Sequence, residues 1–168
     1  PLYDLEGDIL FLDLDLVITG NLDRFFDFRP GSYCVIENWT QIGKKIGNTS
    51  CFKFPVGKYN SIFKKFEKNP EKYWKKYYIE QVYLSAQIRD QFFWPTEWCK
   101  SFKHNLLPNW PFRIWKPAKL PKDTSIVAFT GKPDPEDVIN GNWPVKKSQI
   151  YKRIYKQLKT PQWVLDNW

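Results

Sequence analysis

Residues 8–18 read Asp-Ile-Leu-Phe-Leu-Asp-Leu-Asp-Leu-Val-Ile, and this run constrains the fold more than any other segment. In an extended chain one face carries Leu10, Leu12, Leu14, Leu16 and Ile18, and the other Ile9, Phe11, Asp13, Asp15 and Val17. Nearly continuous apolar character predicts one strand over 8–18, covered on both faces as in a parallel α/β sheet. Asp13 and Asp15 interrupt it, and at i and i+2 of a strand they point to the same side. Two like charges there repel and are costly to desolvate, so something must compensate them. The spacing admits two readings. Either both carboxylates hold an oxygen-preferring cation, Mn²⁺ or Mg²⁺, or the strand ends at Asp13 and both are solvated or cap the next turn.

The remaining pattern alternates strands with helices. A short helix is expected at 22–26, strands at 32–38 and 51–54, and helices at 60–68, from Pro70 through Tyr78, and at 80–90. Beyond Pro95 the chain looks irregular and packed by aromatics. A strand follows at 125–129, a turn or two of helix at 135–139, and a basic helix at about 146–159 with Ile150, Ile154 and Leu158 as its buried stripe. No internal repeat is visible, which excludes a solenoid. The 168 residues fit a single α/β domain, 1–168, with a mixed sheet flanked by helices.

Composition then removes several classes of function. Charged residues make up 26% and hydrophobic ones 42%, a globular balance that excludes wholesale disorder. No apolar run approaches the roughly 20 residues of a membrane span. Cys34, Cys51 and Cys99 form no Cys-x-x-Cys pair and His104 is the only histidine, which argues against structural zinc and against a Ser-His or Cys-His mechanism. Sparse, odd cysteines read as core filling in a reduced, cytoplasmic protein. The chain opens at Pro1 and contains no methionine, as a fragment or processed form would.

A second constellation is Phe129-Thr-Gly-Lys-Pro133, placed directly after an apolar strand. Glycine lets a phosphate approach the backbone and lysine adds a compact positive charge. The spacing is not that of a P-loop, and Gly-Lys-Pro is also an ordinary turn sequence.

Taken together, the segments resemble the Asp-x-Asp glycosyltransferases of GT-A fold. Ile9-Leu-Phe-Leu-Asp-Leu-Asp-Leu-Val-Ile18 followed by Gly20-Asn-Leu-Asp-Arg-Phe-Phe26 is similar to their Asp-x-Asp strand and following helix. Asn48-Thr-Ser50, with Phe54 and Gly57, is similar to the Asn-x-Ser strand that comes next. Ile79-Glu80-Gln81 with Leu84-Ser85 resembles their Asp-Gln helix start, and Ile126-Val-Ala-Phe-Thr-Gly-Lys-Pro133 their Phe-His-Gly-x-Lys region. The likeness spans residues 2–141, in the family's order. It implies transfer of a sugar from a nucleotide-diphospho-sugar to a glycan, lipid-linked or protein acceptor, usually with Mn²⁺. Asp13 and Asp15 would hold the metal, while Thr130, Gly131 and Lys132 would lie at the donor diphosphate and Asn48 at the donor sugar. Glu80 and Gln81 would sit by the sugar or the acceptor hydroxyl, where a carboxylate can act as base. Thr130 stands where the family commonly has a metal-binding histidine. The family's Asp-x-Asp also follows a nucleotide-binding half that this chain lacks, which implies an N-terminally shortened GT-A domain whose open sheet edge would favour self-association.

Two rival readings follow from the net charge of +8 and the 18% of aromatic residues. A non-catalytic glycosyltransferase-like domain would share the motifs. A nucleic-acid or anionic-surface binder would use Lys58, Lys64, Lys65, Lys68, Lys72, Lys75 and Lys76, interleaved with Phe63, Phe66, Tyr73, Trp74 and Tyr77. The basic run at 146–159 would likewise suit an anionic membrane surface, placing a cytoplasmic protein peripherally on it. Nucleic acid is the less favoured partner, since a charge run is usually a solvated face.

Overall fold

The fold, taken from a computed structural model, is described for residues 5–168. It is a mixed α/β protein with two mixed sheets, and the chain divides into two compact units. The first holds the chain up to Asp13 and again from Leu22 to Pro95; the second holds Leu14–Asn21 and Thr96–Trp168.

The strand expected over 8–18 is two strands. β1 (Asp8–Leu12) stops one residue before Asp13, a turn occupies Leu14 and Asp15, and β2 (Leu16–Ile18) begins a new ladder. The physical reason lies in the two carboxylates. A strand covered on both faces has no place for them, so the backbone turns, and Asp13 is exposed while Asp15 is half-buried. The same-side geometry of an extended Asp-x-Asp is therefore absent. β1 is also neither parallel nor doubly covered: it runs antiparallel at the edge of its sheet, with Phe11 exposed.

In the first unit, α1 (Asp23–Asp27), β3 (Cys34–Glu37), β4 (Gly47–Pro55) and β5 (Phe92–Phe93) surround β1, with sheet order β1-β4-β3-β5. β4 pairs antiparallel with both β1 and β3, and β3 pairs parallel with β5. Three helices follow β4: α2 (Asn60–Lys68), α3 (Pro70–Tyr77) and α4 (Glu80–Gln87). Pro70 opens α3 at a position where its missing N–H costs nothing. Tyr33, Val35 and Ile88 form a core with Phe52, Phe54, Tyr59, Ile62 and Leu84 against it. Phe25 meets Trp94 edge-on, 4.9 Å between centroids.

The first unit also buries a charge. Lys53, fully buried on β4, forms an ion pair with Asp8 at 3.0 Å and donates to the carbonyls of Phe26 at 3.1 Å and Phe28 at 2.8 Å. One ammonium thus fastens the loop after α1 onto the sheet. Asp8 also accepts from the Gly31 N–H at 2.9 Å, so the pair is hydrogen-bonded on both sides.

In the second unit, β6 (Cys99–Ser101) and β7 (Ile126–Ala128) join β2 in the order β2-β7-β6, antiparallel then parallel. Val17, Val127, Phe129, Phe102, Val138 and Val164 belong to its core, where the rings of Phe102 and Phe129 stack at 4.6 Å. α5 (Pro135–Ile139) opens on a capping box made by Asp134 and Asp137, and α6 (Gln162–Asn167) buries Val164.

The basic helix expected at 146–159 does not form. Residues Lys147–Ile154 wind as tighter 3₁₀ turns, broken at Gln149 where φ is −127°. Three residues per turn cannot align Ile150, Ile154 and Leu158 on one stripe, so Ile150 and Ile154 are 60% and 71% exposed and only Leu158 is buried.

Substitutions at the buried ion pair separate its parts. Asp8→Ala leaves an uncompensated ammonium inside the unit and is expected to cost about 3–5 kcal/mol in urea unfolding. Lys53→Met, which leaves Asp8 within reach of water, is expected to cost less, and the double variant less than the sum.

Candidate functional site

Hydrogen bonds gather three of the singled-out segments within the first unit. The Asp13 N–H donates to the Ser50 carbonyl at 2.8 Å, which fixes the end of β1 against β4. At that point β4 bulges: Val35 pairs with Phe52 but Ile36 already pairs with Asn48. The buried Asn48 supports the bulge by accepting the Ser50 N–H on Oδ1 at 3.1 Å. Trp94 closes it by donating from Nε1 to the Cys51 carbonyl at 3.3 Å. Just before the bulge, Gly47 lies so close to Val35 that an added Cβ would come within 2.7 Å of it. The Gly47 N–H donates to Ser85 Oγ at 2.9 Å, which ties α4 to the same stretch of β4.

Glu80 is the first residue of α4. Tyr78, at φ +58° and ψ −34°, sits in a γ-turn closed by the Ile79 N–H and the Tyr77 carbonyl at 2.6 Å. A bulky residue in that conformation is strained, and strain of this kind needs the surrounding structure to hold it. The turn ends α3 and starts α4 at Glu80. Partial burial, and then the nearby Asp13 carboxylate, push the Glu80 carboxyl above the usual glutamate range. Glu80 in turn helps burial hold the Tyr33 phenol above its ordinary value. Gln81 follows Glu80 on the helix and is half-buried. Hydrogen bonds thus tie Asp13 and the Asn48–Ser50 bulge together and α4 to β4 through Ser85, and Glu80 lies near enough for the Asp13 charge to act on it, with Gln81 next to it in sequence.

The second unit brings together the other segments. The Asp15 carbonyl accepts the Phe129 N–H at 3.0 Å, extending the β2–β7 ladder by one step and placing Asp15 opposite the residue before Thr130. Gly131, at φ +69°, makes a turn open enough that an added Cβ would meet no atom within 4 Å. Lys132 is exposed but engaged: it pairs with Asp134 and, at 3.1 Å, with Asp137. Its hydrogen bond to Asp134, then that to Asp137, push the ammonium above the usual lysine value. An anion arriving there would compete with two carboxylates.

The chemistry of the donor set bears on the metal. Among the described residues no group of three or more His, Cys, Asp or Glu side chains is placed to hold an ion. Asp13 and Asp15 offer hard oxygen ligands, which suits Mg²⁺ or Mn²⁺, ions that commonly take one or two carboxylates and complete their shell with water and substrate phosphates. Thiol chemistry fits less well. All three cysteines are buried, and burial pushes the Cys34 thiol up to about 11.

Two features escaped the sequence reading. In the second unit, Trp143 has Lys156 5.0 Å, Arg113 5.2 Å and Lys103 6.0 Å from its ring, three cations drawn from separate segments. In the first, α2, α3 and α4 enclose an apolar pocket of about 410 Å³ with Glu80 on its lining. The helical periods of 60–68 and 80–90 hold the signal for the pocket. Nothing in the sequence links Lys103, Arg113 and Lys156.

No protein-family model matches the chain, and no curated protein matches it.

The raised Glu80 carboxyl has a stability consequence. The folded chain keeps its proton to higher pH than the unfolded chain, so between the two values folding binds protons and stability falls as pH rises. Glu80→Gln is expected to raise the melting temperature at neutral pH. The gain should vanish below the ordinary glutamate range near pH 4, and should be smaller when Asp13→Asn is already present. Thermal unfolding across pH checks both.

Proposed function

We propose that the chain is a metal-assisted glycosyltransferase domain of GT-A type, which moves a sugar from a nucleotide-diphospho-sugar to an acceptor hydroxyl. The observation that carries this reading is that hydrogen bonds join Asp13, the Asn48–Ser50 bulge and α4 through Ser85, while the Asp13 charge acts on Glu80 at the first residue of that helix. In this reading Glu80 takes the proton of the acceptor hydroxyl, whose oxygen bonds to the anomeric carbon as the bond to the diphosphate breaks. A carboxyl with a raised pKa is better matched to that work near neutral pH than an ordinary one. Gln81 positions the acceptor or sugar, and Asn48, already bonded to Ser50, lines the sugar. Thr130, Gly131 and Lys132 meet the diphosphate. Asp13 and Asp15, two positions apart in the chain, would hold a divalent cation, which would supply charge neutralisation for the leaving nucleotide diphosphate.

A second reading has its own observation. Lys132 is held by Asp134 and Asp137, and Thr130 supplies a hydroxyl where the family has an imidazole. Both features weaken diphosphate and metal binding, as a non-catalytic relative would.

Calorimetric titration with UDP and GDP, with and without Mn²⁺, separates the two. The transferase reading expects nucleotide binding that needs Mn²⁺ and is lost in the Asp13→Ala/Asp15→Ala variant. No binding by a folded sample supports the non-catalytic reading. Where transfer is observed, Glu80→Gln should lower its rate by about 10²–10⁴-fold while leaving nucleotide affinity in place.

A further inference from the structure

Neither α2 nor α3 buries a single residue, yet both are strongly two-faced. Ile62, Phe63 and Phe66 line one side of α2, and Tyr73, Trp74 and Tyr77 one side of α3; all six border the 410 Å³ pocket. Its rim is open. Phe63 is 59% exposed, Trp74 63%, Tyr78 70% and Ile79 57%. Four large apolar or amphipathic side chains left this open around one cavity mark an interaction face.

The charge around that cavity narrows what the face takes. α2 and α3 carry Lys64, Lys65, Lys68, Lys72, Lys75 and Lys76 against Glu67 and Glu71 alone. The occupant must therefore offer apolar volume to the pocket and negative charge to its surroundings. Lysine stems lie along apolar surface while their ammonium groups reach outward, and tryptophan and tyrosine favour the boundary between hydrocarbon and headgroups. Single-stranded nucleic acid fits less well. It needs a run of ring faces free for successive bases, whereas here Phe63, Trp74 and Tyr78 are open but Phe66, Tyr73, Tyr77 and Tyr83 pack on one another, with Tyr73 and Tyr83 5.3 Å apart and Tyr77 and Tyr83 5.5 Å apart.

We propose that the α2–α4 face of the first unit docks on an anionic lipid bilayer, with lysines at the headgroups and acyl chain in the aromatic pocket. Glu80 borders both this pocket and the proposed transferase site, but bilayer docking does not depend on Glu80 and survives the failure of the transferase reading.

The test is co-sedimentation of the full chain with vesicles of phosphatidylcholine alone and of phosphatidylcholine mixed with phosphatidylglycerol. Binding is expected on the anionic vesicles and to weaken with salt. Neutralising Lys64, Lys68, Lys72 and Lys75 to Gln should lower partitioning about five-fold for each charge removed. Trp74→Ser, at a site 63% exposed, should lower it further. Lipids brominated on their acyl chains should quench wild-type fluorescence more than that of Trp74→Phe. The proposal is overturned by equal binding to neutral and anionic vesicles, or by no vesicle binding. It is overturned equally if binding is lost on neutralising Lys146, Lys147, Lys152 and Arg153 but kept in the α2–α3 variant, or if the α2–α3 lysines govern binding of a single-stranded oligonucleotide while vesicles go unbound.

Discussion

A carboxylate cannot sit inside a strand covered on both faces without a partner, and this chain carries a pair, two positions apart. That constraint shapes the architecture. The apolar run at 8–18 could have continued as one strand through a single sheet. Instead the backbone turns at Leu14 and Asp15, and the two halves of the run enter different ladders, β1 beside β4 and β2 beside β7. Each compact unit thus takes one half of the same hydrophobic segment. The turn leaves Leu14 94% exposed, an apolar side chain given up to water so that neither carboxylate is enclosed. Exposing one leucine forfeits about 1.5–3 kcal/mol, less than fully desolvating two neighbouring carboxylates would cost.

Lys53 obeys the same rule with the opposite outcome. It is fully buried in the middle of β4, and the fold answers with Asp8 and backbone carbonyls rather than with a turn. The difference lies in what the ammonium can reach. Three donors on a long flexible stem can gather acceptors from the loop after α1, whereas a short aspartate in a strand reaches only its neighbours. β4 consequently runs unbroken through a charge that would end it if it were unsatisfied.

These two cases show what was legible in the sequence. Helices α2 and α3 began where their period and Pro70 placed them, and α5 formed at 135–139 as expected, because helix starts and periodicity are local signals. The break at Asp13–Asp15 was one of two readings that spacing alone allowed. The failed helix at 146–159 shows the limit: Ile150, Ile154 and Leu158 had the right spacing, but a segment needs a surface to bury its stripe on, and spacing cannot report one. At the candidate site, residue types were legible and partners were not. Asn48 could be picked out, but not that its oxygen holds the Ser50 N–H. Lys132 could be picked out, but not that Asp134 and Asp137 engage it, although both lie within five residues.

The use of acidic residues explains where the surplus positive charge is left. Asp8 is taken up by Lys53, Asp134 and Asp137 by Lys132 and the cap of α5, and Glu37 by the Gly43 N–H at 2.8 Å. Carboxylates committed to internal work cannot balance lysines elsewhere. None of the ion pairs found among the described residues reaches the α2–α3 lysines or the cations around Trp143. Around Trp143 the cost is visible: partial burial, and then Lys152, Lys103 and Arg113, hold the Lys156 ammonium below its ordinary value. Like charges kept together without counter-charge raise the free energy of the isolated chain, and an external anion would relieve it. A net charge of +8 is therefore not spread evenly over this protein; it is concentrated where the fold has left aromatic rings beside it, at α2–α3 and at Trp143. A ring face beside a cation can attract a ligand that carries apolar surface and negative charge together.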